Sequence, residues 1–137
     1  MMTALRTKGA EFGVEFCERP LLANSRLAIE AAEYARDKGL HSAFSEKVFQ
    51  AYFTYGRNIG ELDVILEVAS AAGLDREEVH RAISDGAYAP RRIQIAEEAK
   101  RLRIDSVPTF IINDRHQLVG AQPNEAFRKL FGQLERG

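Results

Sequence analysis

Apolar residues recur at helical spacing along most of the chain, and one stretch near the C-terminal end changes to continuous apolar character. Leu27, Ala28, Ala31, Tyr34 and Ala35 form the first clear helical face. Asn24 is suited to cap that helix and Gly39 to end it. Glu30, Glu33 and Asp37 fall on its polar side, with Arg26 placed four residues before Glu30. Phe44, Val48, Ala51, Tyr52 and Tyr55 mark a second helix, flanked by Phe49 and Phe53. It is apolar nearly all round, so it is expected to be the most buried helix, with Ser42 as its cap. Gly56–Gly60 reads as a loop. Leu62, Ile65, Leu66, Ala69 and Ala72 give a third helix closed by Gly73. Asp75 and Glu78 have the spacing of a capping box before Val79, Ala82 and Ile83. Pro90 suits the first turn of a longer helix through Ile93, Ile95, Ala96, Ala99 and Leu102. Phe127, Leu130, Phe131 and Leu134 face inward on a last helix opened by Pro123 or Asn124.

The start of the chain is less regular. Thr3 to Gly9 reads as the last turns of a helix stopped by Gly9 or Gly13. Val14–Glu18 alternates apolar and polar residues, which predicts a short extended segment broken by Arg19-Pro20.

The exceptional stretch is Ile104–Gln122. Thr109, Phe110, Ile111 and Ile112 are β-branched or aromatic and continuous, which predicts a strand. Its apolar character on both faces predicts a sheet covered on both sides. Asn113 and Asp114 supply the turn, and Leu118 and Val119 return as a second strand. Pro108 belongs at the strand's first residue, because it cannot donate to a ladder.

Ser-Val-Pro-Thr-Phe at 106–110, followed by the hairpin and Gly120-Ala121-Gln122-Pro123, resembles the cis-proline loop of thioredoxin-fold proteins. More narrowly it is similar to DsbA-like thiol-disulfide oxidoreductases of the FrnE type. Phe49-Gln-Ala-Tyr-Phe53 resembles the Phe-x-Ala-Tyr-Phe segment of that type. Asn24-Ser-Arg-Leu-Ala28 is similar to the opening of the family's first insertion helix. The resemblance covers about Gly9 to Leu134. It implies a cis Val107–Pro108 bond and a substrate-facing loop of Val107, Pro108 and Thr109. It also implies a thiol-disulfide oxidoreductase or isomerase activity; no cofactor is expected from the sequence. In the family, a strand, a Cys-x-x-Cys helix and a second strand precede the helical insertion, and this sequence has no counterpart of them.

The cysteine count changes the functional expectation. Cys17 stands alone, so no intrachain disulfide can form and no residue of this sequence is assigned a catalytic role. Glu15 and Glu18 flank Cys17, and nothing marks it as an activated thiol. His41, His80 and His116 are far apart with no ligand spacing, so no metal site is expected. Gly120–Gln122 is read as structural, with Gln122 helping to start the last helix, and Arg91-Arg92 as a solvated helix face. Lys+Arg 19 against Asp+Glu 20 gives a net charge of −1, which excludes a basic field for nucleic acid. No apolar run suits a signal peptide or membrane span, so the cytoplasm is the expected compartment.

These readings converge on an α/β, mostly helical chain with a partial thioredoxin-like fold. It is expected to be a single domain, 1–137, with a helical insertion over about 20–103 and the C-terminal half of the fold over 104–137. The expectation is a protein inactive alone in disulfide exchange. Two alternatives are a fragment related to hydroxychromene-carboxylate isomerases and kappa-class glutathione transferases, and a non-catalytic peptide-binding module. A two-stranded hairpin with an open edge is a hazard unless covered. A homodimer through that sheet edge is therefore expected; Val14–Glu18 as an internal third strand, or a longer natural protein, would serve the same end.

Overall fold

A computed structural model describes residues 2–18 and 21–137, so Arg19 and Pro20, the expected break, lie outside the described residues. The elements are α1 (Met2–Ala10), α2 (Arg26–Asp37), α3 (His41–Phe49) running on into a π-helical turn (Gln50–Thr54), α4 (Leu62–Ala71), α5 (Arg76–Ser84) and α6 (Ala89–Arg101). They are followed by β1 (Thr109–Ile112), β2 (His116–Val119) and α7 (Asn124–Arg136). Two compact units result, Met1–Gln94 and Ile95–Gly137.

The first unit holds the core. Ala31, Ala35, Phe44, Ile65, Ala69 and Val79 are fully enclosed, drawn from α2, α3, α4 and α5. Small residues on α2 and α4 let these helices approach closely, while Phe44 and Ile65 fill the space between them. The boundaries follow local chemistry. Asn24 accepts from the Arg26 N–H at 2.9 Å, and Asp75 accepts from the Glu78 N–H at 2.9 Å, satisfying a donor at the start of α5. Gly39 and Gly73 follow α2 and α4 with φ of 73° and 93°, the left-handed conformation in which helices commonly stop.

Several expectations are corrected here. The cap position of α3 is Leu40, and Ser42 lies inside the helix. The aromatic helix is not the most buried one. Phe44, Val48 and Ala51 are enclosed, but Phe49 is 61% and Tyr55 71% exposed. The π-helical turn is the local reason: it widens the turn after Phe49, so a face counted at 3.6 residues per turn does not continue straight through it. Glu30 and Glu33 are not on a wet face; they are 1% and 6% exposed. Their burial is permitted because arginines reach them from two elements. Arg26 (3.4 Å) and Arg92 (3.0 Å) meet Glu30, and Arg36 (3.3 Å) and Arg91 (3.6 Å) meet Glu33. Asp37 stays near solvent and binds both Arg91 guanidinium nitrogens, at 2.8 and 3.1 Å. Arg91 and Arg92 are thus structural partners of α2 rather than a solvated face.

Val14–Cys17 forms no strand. It is instead a strap on the π-helical turn: the Cys17 N–H donates to the Phe53 carbonyl at 2.7 Å, and the Thr54 hydroxyl donates to the Glu15 carbonyl at 2.7 Å. Phe16 meets Phe53 edge-to-face at 6.0 Å.

In the second unit, β1 and β2 pair antiparallel with Thr109 opposite Val119 and Ile112 opposite His116. Asn113 and Asp114 take φ of 51° and 60°, which short polar side chains tolerate better than branched ones. Among the described residues the sheet has these two strands only. Phe110 packs edge-to-face on Phe127 of α7 at 4.9 Å. The sheet is not covered on both faces as expected, since Phe110, Ile111 and Val119 are 40%, 36% and 50% exposed.

Candidate peptide-binding loop

Ser106–Pro108 is a bend between the end of α6 and the first residue of β1. Three hydrogen bonds fix what lies around it. The Gly120 N–H donates to the Pro108 carbonyl at 2.7 Å, which ties the bend to the end of β2. The Thr109 hydroxyl donates to the Ser106 carbonyl at 2.7 Å and closes the bend on itself. Gln117 donates through Nε2 to the Leu102 carbonyl at 3.1 Å, holding the end of α6 beside β2. Gly120 has φ of 83°, a conformation that favours glycine. The Val107–Pro108 peptide bond is cis.

Within this frame Val107 stands out. The residue is 88% exposed, among the described residues the most open large apolar one after Leu22. Neither its N–H nor its carbonyl bonds to another described residue, so both are available to a partner chain. Thr109 is half-buried and Pro108 exposed. The loop therefore offers a free donor, a free acceptor and an apolar side chain at the entry to a strand. Such a site can engage the backbone of a peptide, with an apolar contact beside it. The side chains of Val107 and Pro108 carry no titratable group, and the Thr109 hydroxyl is engaged with the Ser106 carbonyl.

The other candidates lie elsewhere. Cys17 is half-buried in the strap, its Sγ 3.9 Å from the Tyr52 carbonyl. His41 Nε2 lies 3.0 Å from Arg36, and His116 lies at the start of β2. No group of metal-ligating side chains occurs among the described residues. Gln122 does not help to start α7; it donates to the Val119 carbonyl at 2.8 Å.

Sequence reading missed a polar cluster between α2, α5 and α6. The Tyr34 hydroxyl donates to Glu78, with Lys38 3.3 Å from the same carboxylate. The Tyr88 hydroxyl donates to Asp37 at 2.8 Å. Hydrogen bonds from Arg91 and then Tyr88 hold the Asp37 carboxyl below its usual range. Those from Tyr34 and then Lys38 do the same for Glu78. Burial, reinforced by the neighbouring carboxylates, pushes both phenols up. This cluster is an ionic clamp, with its cations and anions matched at close range. The faint sequence signal for it was Arg91-Arg92 at the opening of a helix that carries few apolar residues.

No helix among the described residues is long and apolar enough to cross a membrane. Comparison with known proteins gives consistent relatives. The uncharacterized protein YwbO of Bacillus subtilis strain 168 is 32% identical over 104 residues, covering 75% of this chain and 52% of that protein. The crystal structure of a probable DsbA oxidoreductase from Streptomyces coelicolor superposes with a TM-score of 0.86 at 25% identity, over 96% of this chain and 57% of that one. The chain thus spans about half the length of either relative. Its mostly helical architecture with an antiparallel hairpin is that of a DsbA-like thioredoxin fold. A family model described as the DSBA-like thioredoxin domain matches residues 1–132, and with that match across nearly its whole length the chain belongs to this thiol-disulfide oxidoreductase-like family.

Proposed function

We propose that these 137 residues supply the substrate-accepting part of a thiol-disulfide oxidoreductase and do not by themselves exchange disulfides. The observation that carries the reading is the Val107 backbone, exposed and unbonded beside β1, in a chain of the DSBA-like family. An extended peptide segment pairs there through main-chain hydrogen bonds, which makes recognition tolerant of side-chain sequence. The redox argument is stoichiometric. A dithiol–disulfide cycle needs two thiols, and this sequence holds Cys17 alone. The FrnE-type assignment rests on the sequence segments Phe49–Phe53 and Ser106–Phe110, and binding of a peptide rather than of glutathione in the test below would favour it over the glutathione-using alternatives.

The test is a titration of an unlabelled, cysteine-blocked peptide into the isotope-labelled chain, read by amide chemical shifts. Shifts centred on Ser106–Thr109 are expected. They persist in Cys17→Ser and in Val107→Ala, and are lost in Val107→Pro, which removes the donor. Insulin reduction by the chain alone stays at background. Peptide-induced shifts absent from the loop, or turnover by the chain alone, overturn the proposal.

A further inference from the structure

The open backbone at Val107 continues along β1. The Gly120 N–H bonds to the Pro108 carbonyl, and the register sets Phe110 opposite Leu118 and Ile112 opposite His116. Bonded and non-bonded pairs alternate along an antiparallel ladder. Pro108, Phe110 and Ile112 therefore turn their backbone groups toward β2, whereas Thr109 and Ile111 turn theirs away. Among the described residues no third strand meets them, and neither residue makes a backbone hydrogen bond outside the hairpin. The outward groups of Thr109 and Ile111 lie about 7 Å apart along the strand, a spacing that an added strand matches.

Chemistry suits this edge to a peptide. No donor is lost from it, because the N–H that Pro108 lacks belongs to the side facing β2. No charge guards it: the stretch from Val107 to Ile112 carries no ionisable side chain, although edge strands that avoid pairing commonly place a lysine or a bulge there. Apolar surface flanks it on both faces of the sheet. Phe110 and Ile111 point to opposite faces and are 40% and 36% exposed, so successive residues of an added strand each meet an apolar side chain.

We infer that the peptide site is a strand-long edge formed by Val107, Thr109 and Ile111, which takes an uncharged, extended segment of about five residues as a third strand. The inference rests on the peptide reading of the loop and extends it. Val107 alone holds one short stretch of ligand backbone, whereas the whole edge selects for length and for alternation. Every second residue of the ligand turns its N–H and carbonyl to β1, and the residues between turn theirs to solvent. Pairing of a second copy of the chain at this edge uses the same groups, so peptide binding and self-association exclude each other.

The probes are the blocked peptides acetyl-Thr-Val-Thr-Val-Thr-amide and acetyl-Thr-Val-Thr-amide, titrated into the isotope-labelled chain. The longer peptide is expected to bind about tenfold more tightly, through the added main-chain hydrogen bonds, and to shift the Ile111 amide as well as those of Val107 and Thr109. Single N-methylation along the longer peptide is expected to weaken it about tenfold at alternate residues and by less than about twofold at the residues between. Ile111→Pro removes an outward donor and no bond to β2, so it is expected to weaken the longer peptide about tenfold and to leave the shorter one unchanged. Should that variant lose its fold, the N-methyl series on the unaltered chain decides. At saturating peptide, light scattering is expected to give the monomer mass. Equal affinity of the two peptides, with shifts that stop at Thr109, overturns this inference and leaves the loop reading standing. An N-methyl series without alternation, or a dimer that binds peptide and keeps its mass, overturns it too. Shifts absent from Ser106–Thr109 with both peptides overturn the loop reading and this inference together.

Discussion

Glu30 shows how strongly one side chain can depend on partners from another helix. It is 1% exposed and lies between Arg26 and Arg92, whose side chains are 51% and 31% exposed. Removing a buried ion's partner costs most when the survivor is stranded in the interior. Here both surviving arginines can turn to water. Glu30→Ala is therefore expected to destabilise by only about 1–3 kcal/mol, measured by urea unfolding. Asp37 offers a pH test at the same clamp. Its folded pKa lies below the unfolded one, because Arg91 and Tyr88 bond to the ionised form. Glu78 is displaced in the same direction. The stabilisation from each is complete above the ordinary carboxylate range and is lost as pH falls through the depressed folded value. Unfolding followed from neutral pH downward is expected to show stability falling below about pH 4. Asp37→Asn is expected to be less stable at neutral pH and to have a flatter acid limb. A parallel acid limb in the variant would remove Asp37 from the account.

Helices whose signals were local are the elements that the sequence predicts well. Asp75 at the start of α5 is one: the residues named the cap, and the carboxylate accepts from the Glu78 N–H. Asp75→Ala is expected to cost about 1 kcal/mol, read as a lowered Tm, with Asp75→Ser retaining most of the stability. Unchanged stability in Asp75→Ala would mean that packing of Val79 alone holds the helix. The hairpin turn at Asn113-Asp114 and the stops at Gly39 and Gly73 were legible for the same reason, since each rests on the conformational range of one residue. The role proposed for the Val107–Thr109 loop comes from family resemblance alone, because nothing in its composition marks a binding surface. What could not be read depended on tertiary partners. Helical periodicity put Glu30 and Glu33 on the polar side of α2, which is correct for an isolated helix. Only the arrival of Arg91 and Arg92 from α6, some sixty residues away, turns that side into an interior. The exposed Phe49 and Tyr55 were misplaced because a π-helical turn leaves no periodic trace in five residues.

At the scale of the whole molecule, apolar burial is unevenly distributed. The buried hydrophobic residues described all fall between Leu27 and Val79, within the first unit. The second unit relies on Phe110, Phe127 and Phe131, whose rings meet edge-to-face at 4.9 Å and tilted at 6.3 Å, and leaves Phe110, Ile111 and Val119 more than a third exposed. An isolated hairpin of this size is marginal in water, and one helix covers little more than one face. Each strand also has an edge with no partner among the described residues, and an open apolar edge invites pairing with another chain. We therefore propose that two copies associate through this sheet edge. Light scattering over a range of concentrations is expected to give twice the monomer mass. Ile111→Lys, which adds charge where the strand would pair, is expected to return the monomer while the first unit keeps its circular dichroism signal. Hydrogen exchange supplies the decisive arm. In the dimer, amides of β1 should gain protection that they lose in Ile111→Lys. A monomer at every concentration, with the hairpin as protected as α4, would show that the second unit closes its own sheet and would end the dimer proposal.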